Sequence, residues 1–146
     1  MEIKSTKIYT FEENTKMNKK LTIIALFLIA LSIAFGAFGA HALKNLVILK
    51  WQLAFEAAVR YQFYGALFLL ILSFQSSFSD PIYARWIKLF LIGMGLFTCS
   101  IYGLVFAELL QIKWSFLGPI TPIGGLLMII SVVILAIKYA TKVKEK

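Results

Sequence analysis

"LTIIALFLIALSIAFGAFGA", Leu21 to Ala40, carries no charged side chain over 20 residues. As an α-helix it would rise about 1.5 Å per residue, roughly 30 Å in all, which is the hydrocarbon thickness of a bilayer. The stretch therefore predicts a transmembrane helix. Leu89–Ala107 is a second uncharged run, of 19 residues, and Trp114–Ile137 a third. Between them lies a less clean segment. The apolar run Tyr61–Phe74 is too short alone, so its helix must reach back toward Ala57 or forward through "QSSFS", residues 75–79. Either extension leaves Arg60 at, or about one turn inside, the membrane interface.

The chain has 146 residues, of which 60% are hydrophobic and 15% charged. That is one domain, too apolar for an ordinary soluble globule, with its charges gathered at the ends and in short clusters. The expected fold is all-α, an integral membrane bundle of four transmembrane helices running up-down-up-down. The connections are short: a turn at Asp80-Pro81 and the tight link "AELLQIKW" from Ala107 to Trp114. Residues 1–17 read as a polar, mobile extension, with Met17 an alternative start. Residues 18–140 form the membrane domain and 141–146 a basic tail. "MNKK" followed by an apolar run and "GAFGAHA" also has the outline of a secretory signal. Its apolar core exceeds the usual length of about 7–15 residues, which favours a retained helix.

A net charge of +8 raises nucleic acid as a partner, but no folded basic surface remains once the apolar runs are set aside. The lysines flank spans, where they meet the anionic lipid of a bilayer. With four spans, the amino tail, the second connection and the carboxyl tail share one side and carry eleven Lys and Arg. The other side holds four: Lys44, Lys50, Arg60 and Lys113. The positive-inside rule therefore predicts both termini in the cytoplasm, with the chain in a bacterial plasma (inner) membrane.

Three stretches, "GAFGAHALK", "FEAAVRYQFYGALFLL" and "GPITPIGGLL", with "LFTCSIY" between the last two, resemble the small four-helix membrane family of domain of unknown function 423, which includes the animal transmembrane protein 256. The resemblance runs from Asn18 to about Ile137 and implies fold and membrane location. It implies no activity. The chain departs from the family pattern in three places. Tyr64-Gly65-Ala66 stands where Tyr-His-Ala is usual, so a histidine is missing, Thr98-Cys99-Ser100 replaces Ser-Gly-Ser, and Ser131-Val132 replaces Gly-Trp.

Two stripes of small residues suggest how the helices pack. Ser32, Gly36 and Ala40 repeat every four residues on the first helix, and Gly95, Cys99, Gly103 and Ala107 do so on the third. Small residues let helix backbones approach in lipid, so the spacing predicts a seam between helices one and three. Leucine at Gly95 or Gly103 should then cost more than leucine at Gly93. Cys99 reads as a packing residue of that seam, since no cation lies within two turns to lower its pKa.

The polar residues gather toward one end. Gln52, Glu56, Arg60 and Tyr64 are spaced by four and share a helix face. Glu56 and Arg60 neutralise each other on that spacing, or else line a polar cavity. His41 ends the first helix, where a cation suits the helix carboxyl end or handles a proton. Glu108 ends the third helix. In "GPITPIGG", Thr121 is the expected cap and Pro122 the first turn of the fourth helix, with Gly124 and Gly125 allowing close packing. Together His41, Gln52, Glu56, Arg60, Tyr64, Glu108 and Thr121 predict an outward-facing pocket.

No nucleophile–base pair, phosphate loop or metal-ligand spacing stands out, so the expectation is a non-enzyme without metal or cofactor. Such a protein binds a lipid or small molecule in that pocket, or serves as a homo-oligomer or subunit of a larger membrane complex. The alternative is a proton-linked transporter or permease using Glu56, Arg60 and His41.

Overall fold

The computed structural model describes residues 17–75 and 80–144, with side chains as far as Thr141. Residues 1–16 of the expected amino-terminal extension and the last two residues of the basic tail lie outside the described residues. Four helices, α1 (Lys19–His41), α2 (Leu49–Ser73), α3 (Pro81–Leu109) and α4 (Ile120–Lys144), are long and apolar enough to cross a membrane. They alternate in direction. The end where α1 and α3 start is termed basal here, and the opposite end distal. Single 3-10 turns, Leu43–Asn45 and Ser115–Leu117, sit in the two distal connections.

Local chemistry sets the helix ends. The Asn18 side chain accepts from the Leu21 amide at 3.2 Å and starts α1. Asp80 accepts from the Ile82 amide at 2.9 Å, and Pro81 follows at the first helical position of α3, where its missing N–H costs nothing. At the far end of α3 the Ile112 amide reaches back to the Ala107 carbonyl at 2.8 Å and the Gln111 amide to Glu108 at 3.1 Å. This Schellman closure requires a left-handed residue, and Gln111 supplies it with φ 56°. α4 starts at Ile120, straight after Pro119, so Thr121 lies within the first turn and is not its cap.

α2 resolves its ambiguous boundary by extending backward, past Ala57 to Leu49. The Gln52 amide nitrogen donates to the carbonyls of Lys44 at 2.7 Å and Val47 at 2.8 Å, which ties the distal connection to the helix it precedes. The 25 residues of α2 exceed the roughly 20 that a hydrocarbon thickness needs, and Arg60 lies near the middle of the helix.

Neighbouring helices are tied at the basal end. The Asn18 amide donates to the Ser73 carbonyl at 2.9 Å, and the Thr22 hydroxyl to the Ser73 hydroxyl at 3.0 Å. Tyr83 donates to the Lys138 carbonyl at 3.2 Å, joining α3 to α4. One apolar core lies in the basal half, around Leu21, Leu69, Ile87, Phe90 and Met94. A second lies in the distal half, around Leu43, Phe55, Tyr102 and Val105.

The small-residue seam is not where the spacing placed it. Among the described residues no Cα of α1 comes within 8 Å of a Cα of α3. These two helices meet through rings, Phe35 on Tyr102 at 4.8 Å and Phe38 near Phe106 at 6.1 Å between centroids. Gly36 faces Val59 of α2, Ala40 is exposed, and Ser32 is buried with its hydroxyl on the Ile29 carbonyl. On α3, Gly95 faces open space and Cys99 is exposed, while Gly103 lies under Leu117 and Trp114 of the distal connection. Ala107 is buried.

The close approach is between α3 and α4, at Gly93 and Gly124. A methyl at Gly93 would come 2.9 Å from the Gly124 carbonyl oxygen, and one at Gly124 would lie 2.7 Å from that of Gly93. Gly125 lies beside the ring of Phe97. The order of glycine sensitivity is therefore reversed. Gly93→Leu or Gly124→Leu should lower stability by about 1–3 kcal/mol or more through overpacking, while Gly95→Leu leaves it nearly unchanged. Thermal unfolding of the three variants in one detergent checks this, and equal midpoints would remove the glycine contact.

Candidate functional site

The seven residues expected to form an outer pocket fall into three groups. Gln52 is engaged with loop carbonyls, as described. Thr121 shares a 2.8 Å hydrogen bond with Ser100, joining α4 to α3. His41, Glu56, Arg60, Tyr64 and Glu108 are exposed. Among the described residues no hydrogen bond or ion pair links any two of the seven, Glu56 and Arg60 included. The mutual neutralisation that the spacing of four suggested is not formed within the chain.

Glu56, Arg60 and Tyr64 instead form a polar stripe on the outward face of α2. Above and below it the same stripe continues with exposed Leu53, Leu67 and Ile71. Tyr64 is 60% exposed although it lies deep along a membrane-length helix. The opposite face of α2 is buried through Phe55, Ala58, Gln62, Ala66 and Leu69. Charges on the outer face of a central helix are therefore compatible with the fold, yet they have no cover among the described residues.

The inner face holds a polar node that spacing did not reveal. Gln62 is 3% exposed and sits near the middle of α2. Its amide nitrogen donates to the Leu28 carbonyl of α1 at 3.0 Å, and its oxygen accepts from the Tyr102 hydroxyl of α3 at 3.0 Å. One side chain thus joins three helices. The Tyr102 ring also packs on Phe35 and Phe55, at 4.8 and 5.0 Å between centroids, and those two rings lie 6.2 Å apart, so the three form one cluster. A lone amide inside the run Tyr61–Phe74 was the available signal, because an unpaired amide is costly in hydrocarbon.

Position 65 is also explained. Gly65 is buried against the Met94 sulfur and the Phe90 ring. No side chain fits there while Met94 holds its place, so methionine from α3 fills the space at Gly65. Among the described residues no group of three His, Cys, Asp or Glu side chains is placed to hold a metal ion.

Residues 35–125 match the family described as protein of unknown function (DUF423). A UPF0382 membrane protein of Staphylococcus haemolyticus is 38% identical over 112 residues, covering 76% of this chain and 87% of the relative. The UPF0382 membrane protein YwdK of Bacillus subtilis is 35% identical over 116 residues, covering 75% and 89%. One from Schizosaccharomyces pombe is 34% identical over 106 residues, covering 68% and 83%. No solved structure matches the chain.

Tyr102→Phe should cost about 1 kcal/mol by leaving the Gln62 oxygen without its donor. Combined with Gln62→Leu it should cost less than the two single losses summed, with a coupling near 0.6 kcal/mol. Unfolding of the four proteins in detergent measures the coupling, and strict additivity would mean that the two side chains act separately.

Proposed function

Because the chain belongs to the DUF423 family, whose relatives are named membrane proteins, we propose that it is a non-enzymatic subunit of a membrane complex built on paired copies of itself. The stripe Glu56–Arg60–Tyr64 carries this reading. It is exposed, it lacks partners among the described residues, and it lies on a helix long enough to span a bilayer. A charge facing lipid at the helix centre costs about 2.5–3.5 kcal/mol on insertion scales. A second protein chain covering the stripe removes that cost.

The stripe complements itself. Two α2 helices running in the same direction about a two-fold axis bring Glu56 of each copy beside Arg60 of the other, forming two reciprocal ion pairs. The apolar residues Leu53, Leu67 and Ile71 flank these charges and would pack in the same seam. Proton-linked transport would need Glu56, Arg60 and His41 along one path. His41 is exposed at the end of α1 while Glu56 and Arg60 share a stripe on α2, and among the described residues no hydrogen bond or ion pair joins His41 to them.

The same reading includes a plasma-membrane location with the basal end, and so both termini, in the cytoplasm, as the distribution of Lys and Arg favours. A cysteine at Gln75 should then label only from the cytoplasm and one at Lys113 only from outside. Labelling of both from one side would overturn this orientation.

Pairing is tested by native gel mobility and mass measurement in mild detergent. Wild type should run as a dimer, Arg60→Glu should fall apart to monomer through like-charge repulsion, and Glu56→Arg with Arg60→Glu should pair again. A monomeric wild type that retains no other chain would overturn the proposal. A stoichiometric foreign subunit on the stripe would replace self-pairing with a mixed complex.

A further inference from the structure

The space between α1 and α3 is treated differently in the two halves of the fold. In the distal half, the rings of Phe35, Phe38, Tyr102 and Phe106 fill it. In the basal half a groove of about 250 Å³ remains, with no ring among its lining residues. Ile24 of α1 and Ile87 and Leu91 of α3 form its apolar walls, while Asn18, Lys20 and Lys88 stand at its mouth. Lys20 and Lys88 are exposed and have no acidic partner among the described residues. The Asn18 oxygen is committed to the Leu21 amide, which leaves its amide nitrogen as a donor beside the two ammonium groups.

A groove of this kind selects its occupant. Its walls offer nothing for water to bond, so at membrane depth hydrocarbon fills it. Its mouth offers only donors, two of them charged, at the level where lipid headgroups meet the helix ends. We propose that the α1–α3 groove holds one anionic phospholipid, with an acyl chain along Ile24, Ile87 and Leu91 and the phosphate between Lys20, Lys88 and Asn18. The outer stripe of α2 takes no part in this site. A wrong assignment there leaves the lipid site standing.

Native mass spectrometry of the full chain in mild detergent tests the site, with phosphatidylglycerol, phosphatidylcholine and glycerol 3-phosphate as probes. Wild type should retain one phosphatidylglycerol about tenfold or more tightly than phosphatidylcholine, as two lysines beside one phosphate imply. Lys20→Gln with Lys88→Gln should abolish that preference, while Lys44→Gln with Lys113→Gln at the distal end keeps it. Leu91→Trp should fill the groove and lose the bound lipid with unchanged helix content. Ile24→Trp, at a position already 39% exposed, serves if the first variant misfolds. Equal retention of the two lipids, or a basal lysine pair without effect, would overturn the proposal. Displacement of the lipid by glycerol 3-phosphate would overturn it too, because the site would then be one for phosphate without a chain.

Discussion

In hydrocarbon a polar side chain without a partner costs more than most packing contacts return, and Gln62 is the point where this constraint organises the fold. Its two hydrogen bonds require a carbonyl from α1 and a phenol from α3 at the same depth. Sliding any of the three helices by one turn strands at least one of these groups. The node therefore sets the relative height of α1, α2 and α3 in a way that interchangeable Leu and Ile contacts do not. The same Tyr102 ring joins the aromatic cluster with Phe35 and Phe55, so the polar node and the distal apolar packing share one side chain.

The fourth helix is held by different means. Gly93 and Gly124 bring two backbones into contact, and Ser100 and Thr121 add a hydrogen bond one to two turns away. Dispersion between closely packed backbones replaces the polar node here. The division leaves α1 and α4 as the outer helices, with 17% of the most apolar stretch of each buried, against 39% in α2 and 44% in α3. The central helices thus carry both the inward polar node and, on α2, the outward charged stripe.

Much of the fold is legible in the sequence because bilayer thickness fixes how long a charge-free run must be. Leu21–Ala40 and Leu89–Ala107 lie wholly inside α1 and α3. The start of α2 was hidden because Glu56 and Arg60 break the charge-free signal while facing outward, where helix formation tolerates them. The packing seam was hidden for another reason. Spacing by four identifies a stripe but not the direction it faces, and the glycine that matters, Gly93, is only two positions from one that touches nothing, Gly95. Of the seven candidate site residues, spacing put Gln52, Glu56, Arg60 and Tyr64 on one helix face, but only geometry could separate Gln52 and Thr121, occupied with structural bonds, from the exposed residues. Gln62 was overlooked because its neighbours made the segment read as uniformly apolar.

The ties between sequence neighbours have a consequence for how the chain is made. α1 and α2 are joined at Asn18, Thr22 and Ser73, and α3 and α4 at Tyr83 and Lys138, so each hairpin closes on contacts internal to itself. Such local pairing lets the first hairpin form while the ribosome is still translating the second. At that stage the amide nitrogen of Gln62 already has the Leu28 carbonyl, but its oxygen has nothing. The nascent half-protein therefore carries a vacant acceptor on the inner face of α2, and the arrival of Tyr102 is the event that fills it.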